Sequence, residues 1–348
     1  MGITSVIFGC SGLSLTQEEQ DFYKRVQPWG FILFGRNIDT PEQVANLVAE
    51  LKSCVEHDDV PVLIDQEGGR VRRLRPPHWE AYPAGDVFGK HYAQNKEQGL
   101  RFAWLQSRLM ACDLAKLGIN VDCLPVLDVP VEGSHDVIGD RAYAKDCSIV
   151  SDIGLSASKG LMAGGVLPVV KHIPGHGRAG VDSHKDLPIV EASLSDLEKS
   201  DFKPFQDLKD MPLAMTAHVV YKAIDPNNPA TTSQVVINDI IRDYIGFDGL
   251  LMCDDLSMHA LKGSFEQRTK ASFDAGCDVV LHCNGNLAEM TPIAAASPQL
   301  SGDSFRRAVQ ATNLFANVDT CDEESLRKEF RILCEDKTYG QDPTEAGH

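Results

Sequence analysis

The sequence predicts a single-domain α/β fold, a (β/α)8 barrel of the TIM type, on three observations. Eight apolar runs of four to eight residues recur along the chain, at 5–8, 30–34, 60–65, 121–128, 166–172, 212–218, 249–254 and 278–284, the length and composition of buried strands. Segments with helix start and stop signals lie between them, the alternation expected of parallel strands joined by helices. Polar and charged residues gather directly after the runs, at the strand ends where barrels of this type build their sites.

Taken in order, the stretch Met1 to Gly9, which holds the first run, lacks a basic leader and is too short for a secretory apolar region with its cleavage site, so it is expected to be a first strand. After the second run, Thr40-Pro41-Glu42 supplies an N-cap and a first-turn proline for a helix over 44–55. Residues 98–117 place Phe102, Leu105, Leu109, Cys112 and Leu117 near helical spacing and stop at Gly118. Ser193 opens a further helix reaching about residue 208. Residues 288–330 add two or three amphipathic helices, so the barrel domain is expected to span 1–335. Residues 336–348 are polar, contain Gly340, Pro343 and Gly347, and read as a flexible tail. A doubly wound open sheet is the alternative, but no run is followed by its glycine-rich dinucleotide turn.

Composition narrows the partners. Of 348 residues, 43% are apolar and 24% charged, enough for a large core. The net charge of −17 would repel nucleic-acid phosphates and anionic membranes, which leaves a small neutral or polar ligand. Ten cysteines without a CxxC pair suit free thiols in a reducing cytoplasm, and no stretch approaches the roughly twenty apolar residues that span a bilayer. A monomer or weak homo-oligomer without cofactor is expected.

The strand ends carry the chemistry. Run 3 leads into Asp65-Gln66-Glu67-Gly68-Gly69-Arg70-Val71-Arg72-Arg73, run 4 to Asp128 and then Ile138-Gly139-Asp140-Arg141, and run 5 into Lys171-His172-Ile173-Pro174-Gly175-His176-Gly177. Run 6 ends at His218, run 7 at Asp254-Asp255 and run 8 at His282-Cys283-Asn284, so one mouth is implied. From Lys171 to His184, three histidines, a lysine and an aspartate fall within fourteen residues, more than a solvated loop requires. Hydroxyls accept from Lys, Arg and His and donate to Asp, so the mixture suits a sugar. Glycosidic cleavage needs a carboxylate near the anomeric carbon and a proton donor beside the leaving oxygen. Asp182 two residues before His184 could hold that histidine protonated. Side-chain alternation lets only one of Asp254 and Asp255 face the mouth, and periodicity does not choose between them. His176, between glycines, reads as a loop support. His218 is left open between mouth and local hydrogen bonding.

Four ordered motifs, Asp65 to Val71, Lys171 to Gly177, Asp182-Ser183-His184 and Asp254-Asp255-Leu256-Ser257-Met258, resemble those of family 3 glycoside hydrolases, nearest to the bacterial cytoplasmic β-N-acetylglucosaminidases of peptidoglycan recycling. The resemblance implies Asp254 as nucleophile, His184 as acid/base with Asp182 as its partner, and Asp65, Arg73, Arg141, Lys171 and His172 as sugar-binding positions. It also implies a retaining reaction on muropeptides and no metal. Ile173 stands where phenylalanine is common in the family, and Cys253 where serine or threonine is usual. Too few residues follow the eighth run for the second domain of many family 3 β-glucosidases. Transfer to phosphate in place of water, a broader β-hexosaminidase, a histidine metal hydrolase without an HExxH motif and a non-catalytic sugar-binding barrel are the competing readings. Lys171-His172 is expected to be rigid on its strand, and Asp182-His184 to be loop-borne and more mobile.

Overall fold

The computed structural model describes residues 2–133, 136–180 and 187–335. Eight parallel strands close into a barrel: β1 (Thr4–Phe8), β2 (Pro28–Leu33), β3 (Val62–Ile64), β4 (Val121–Asp122), β5 (Leu167–Ile173), β7 (Leu213–Thr216), β9 (Leu250–Asp255) and β10 (Val279–His282). Neighbours follow chain order around the ring and β1 closes on β10. These are the eight runs of the sequence. Their side chains are buried on both faces, as in Val62-Leu63-Ile64, because the inner face packs the barrel centre and the outer face packs helices.

The helices start where their caps predict. Thr40 caps α2 (Pro41–Ser53), its side chain accepting from Gln43 N, and Pro41 occupies the first turn. α4 (Lys96–Lys116) packs against α5 (Cys147–Ala163). After the barrel come α9 (Leu287–Ala296), α10 (Gly302–Thr312) and α11 (Glu323–Glu335). α11 sends Phe330 between Phe102 of α4 and Tyr82. Among the described residues no helix is long and apolar enough to cross a membrane.

Three elements differ from the sequence reading. The fourth strand pairs over Val121–Asp122 alone, because Pro125 has no N–H to give the ladder. Beyond it the chain stays bonded to β5, Val169 N donating to Leu124 O at 3.0 Å, Lys171 N to Pro125 O at 3.1 Å and Leu127 N to Lys171 O at 2.7 Å. The helix expected over 193–208 is two short ones, α6 (Leu194–Lys199) and α7 (Lys203–Asp207), the second opened by Pro204. A two-stranded sheet of β6 (Ile189–Val190) and β8 (Val220–Tyr221) is too short to register as periodicity. The expectation of a tail at 336–348 concerns residues outside those described.

Candidate active site

Side chains from the ends of β3, β5 and β9, with Arg141 from the loop after β4, line one mouth of about 190 Å³. At its floor, five charged groups alternate in sign. Arg73 Nη2 donates to Asp65 Oδ2 at 2.9 Å, and Lys171 Nζ lies 3.0 Å from Asp65 Oδ1 and 2.6 Å from Glu67 Oε1. Arg141 Nε and Nη2 reach the two Glu67 oxygens at 2.8 and 2.9 Å, the bidentate geometry a guanidinium prefers. Burial opposes ionisation of both carboxylates. Lys171 and Arg73 nevertheless hold Asp65 far below the usual carboxylate range, and Arg141 with Lys171 holds Glu67 down at about 2. Burial would lower Lys171, but Asp65 and Glu67 raise it, so the array is fully charged at neutral pH.

The backbone that supports this array is built locally. Gly68 has φ +98°, and a Cβ there would come within 2.1 Å of Pro83 O, so the turn requires glycine. The turn lets Glu67 N donate to Val71 O and swings Arg73 back over Asp65. Gln66 Oε1 accepts from the N–H groups of Arg73 and Leu74 at 2.9 and 3.0 Å, which fixes where Arg73 departs. Arg70 donates to the carbonyls of Asp136, Val137 and Ile138 and to Asp140, tying this loop to the one that carries Arg141.

Lys171 and His172 are consecutive, yet both line the mouth. The register of β5 against β7 shifts between Lys171 and Ile173, which interrupts the alternation there. Behind His172 stands Asp128, fully buried. Its Oδ2 accepts from His172 Nδ1 at 2.7 Å, and its Oδ1 accepts the N–H of His172 at 3.2 Å and of His176 at 2.6 Å. His176 also lines the mouth, its ring edge-on to His172. Burial, with His172 beside it, lowers its pKa to about 4, so it is neutral.

Asp254 and Asp255 close β9 and both touch the cavity, but their surroundings differ. Asp255 is committed: its Oδ1 accepts from Ser257 N at 3.1 Å and Cys283 N at 3.2 Å, and its Oδ2 from Ser257 Oγ at 2.5 Å. Asp254 Oδ1 accepts from the following N–H, that of Asp255, at 2.8 Å. His218, left open by the sequence, is satisfied locally. Its Nε2 donates to Asp255 O at 3.1 Å, since a carbonyl only accepts, so its Nδ1 accepts from Thr231 Oγ1 at 2.7 Å.

The structure thus brings Asp65, Arg73, Arg141, Lys171, His172 and Asp254 to one mouth. Asp182 and His184 lie outside the described residues. Among the described residues no group of three or more His, Cys, Asp or Glu side chains is placed to hold a metal ion. The sequence reading placed Gln66, Glu67 and Asp128 at the strand ends that form the mouth but gave none of them a role. Glu67 had a usable signal: two residues from Asp65, it is on the same side of an extended chain. Asp128 gave no such signal, because its role depends on the break at Pro125.

Residues 6–310 match the model of the glycosyl hydrolase family 3 N terminal domain. A β-hexosaminidase of Nitrosomonas eutropha is 35% identical over 288 residues, 82% of this chain and 82% of that protein. One from Bordetella pertussis is 32% identical, with 87% of each chain covered. Among solved structures, NagZ of Neisseria gonorrhoeae in complex with N-trifluoroacetyl-D-glucosamine superposes with a TM-score of 0.85 at 30% identity, covering 96% of this chain and 99% of that one. The β-N-acetylglucosaminidase of Thermotoga maritima gives 0.73 at 25% identity, covering 93% of this chain and 69% of its own.

Proposed function

We propose, from the premise that this chain belongs to glycoside hydrolase family 3, that it is a retaining exo-β-N-acetylglucosaminidase. Its substrates would be muropeptides, GlcNAc-1,6-anhydro-MurNAc-peptides, cleaved in the cytoplasm. The coarser statement, a glycoside hydrolase of β-N-acetylhexosaminidase type, follows from family membership and from the β-hexosaminidase relatives. The finer reading rests on one observation: Asp254 lines the same mouth as the charged array, next to Asp255, whose two oxygens are engaged by Ser257 and Cys283.

In this mechanism the floor binds the terminal sugar through Asp65, Lys171, Arg73, Arg141 and His172. His184, as imidazolium stabilised by Asp182, gives its proton to the leaving oxygen while an Asp254 oxygen bonds the anomeric carbon and the glycosidic bond breaks. Neutral His184 then takes a proton from water, whose oxygen displaces Asp254 and returns the carboxylate. Held by its own ion pairs, the array would keep the ring in place while charge develops at the anomeric carbon.

The test compares aryl N-acetylglucosaminide with aryl glucoside and aryl N-acetylgalactosaminide, followed by a purified muropeptide. Preference for the N-acetylglucosaminide together with release of N-acetylglucosamine from the muropeptide is expected. Equal turnover of the glucoside, or an intact muropeptide, would overturn the substrate assignment.

A further inference from the structure

Asp128 does not line the mouth, and its hydrogen bonds to His172 and His176 run to the segment at the end of β5. The backbone delivers it there: Val126 bridges to Lys171, and Leu127 N donates to Lys171 O. An ionised carboxylate only accepts, so the 2.7 Å contact makes His172 Nδ1 the donor and leaves Nε2 as the ring atom available to a ligand. Burial pushes the Asp128 pKa up, but His172 outweighs it and holds the group at about 2, so it is ionised across the working range. Its other oxygen anchors the backbone N–H groups of His172 and His176.

We propose that Asp128 is a positioning residue for the sugar site: it fixes the orientation and tautomer of His172, so that Nε2 meets a hydroxyl of the bound sugar. This rests on the reading of His172 as a sugar-binding residue. A purely structural role for Asp128 makes a different prediction. Asparagine has the same shape and can still accept both backbone N–H groups through Oδ1, so a structural anchor tolerates Asp128→Asn. The asparagine NH2 must then donate to His172 Nδ1, which forces the opposite tautomer and places a hydrogen on Nε2.

The experiment is a double-mutant cycle on kcat/KM for an aryl N-acetylglucosaminide, with Asp128→Asn, His172→Ala and the double variant. Asp128→Asn is expected to lower kcat/KM roughly 10- to 100-fold, the scale of a hydrogen bond to a charged group. In the His172→Ala background it should cost less than about threefold more, because coupled residues are not additive. A costly His172→Ala with a silent or additive Asp128→Asn overturns the positioning role alone, whereas a silent His172→Ala overturns the sugar-binding reading of His172 and the proposal with it. Should the asparagine variant fail to fold, nitrogen-15 NMR of the histidine rings in the unmutated enzyme decides, with the His172 signals assigned by their loss in His172→Ala. A neutral ring with hydrogen on Nδ1 supports the proposal, and hydrogen on Nε2 overturns it.

Discussion

Replacing Glu67 with glutamine probes the charged floor of the mouth, and the structure sets the size of the effect. Glu67 is 5% exposed and carries ion pairs to both Lys171 and Arg141. Removing one partner of a buried pair costs about 3–5 kcal/mol, because the cations left behind lose their compensation. The pKa gives a second route to the same number: depression from 4.5 to about 2 is worth about 3 kcal/mol at neutral pH. The sign is that of a depressed acid. Its contribution is full above the unfolded value near 4.5 and is lost as pH falls towards 2. With an unfolding entropy of about 2.1 cal/mol/K per residue, ~3 kcal/mol over 348 residues lowers Tm by about 4 °C. Melting curves of the wild type and Glu67→Gln at pH 7 should differ by that amount, and the gap should shrink to roughly half or less by pH 3. A gap independent of pH, or none at pH 7, would refute the assignment of Glu67 as the ionised hub between Lys171 and Arg141.

Other perturbations test separate parts of the account. His184→Ala should slow substrates with poor leaving groups by roughly 10²–10⁴-fold and spare activated aryl glycosides, because a good leaving group needs little protonation; equal losses on both would remove the acid role. Gly68→Ala should destabilise the loop through its φ of +98° and the contact with Pro83 O, and raise KM by displacing Glu67 and Arg73; an unchanged KM would show that the turn does not set the floor. Arg327 of α11 pairs with Asp113 and with Glu80 at 3.0 Å, beside the 2.7 Å bond from Tyr82 to Asp113. Arg327→Ala should cost about 2 kcal/mol and speed hydrogen exchange in residues 323–335, and unaltered exchange there would contradict a docking role for this pair.

The barrel was legible because a parallel strand buried on both faces leaves an uninterrupted apolar run, and the eight runs are the eight strands of the ring. Less legible were features that depend on where the chain stops being regular. Pro125 cuts the fourth strand to two residues and thereby sends Asp128 behind His172, which no periodicity encodes. The register shift in β5 puts Lys171 and His172 into the same mouth although alternation would separate them. Residue types foretold a basic and acidic mouth, but not that its cations would arrive already paired, since Glu67 counted only as one letter of a motif. Periodicity did not choose between Asp254 and Asp255 and the resemblance did; what neither foretold is that Ser257 and Cys283 reach Asp255 from a turn and from the neighbouring strand end.

The central claim is that Asp254 carries the sugar covalently during turnover. The most direct measurement is to incubate the enzyme with a 2-fluoro glycosyl donor bearing a good leaving group, digest it, and locate the label by mass spectrometry. The account predicts one glycosyl group per active enzyme, attached to Asp254 and absent from Asp254→Ala. A label on any other residue, or turnover by the unmutated enzyme that gives an anomerically inverted sugar by NMR, would contradict it.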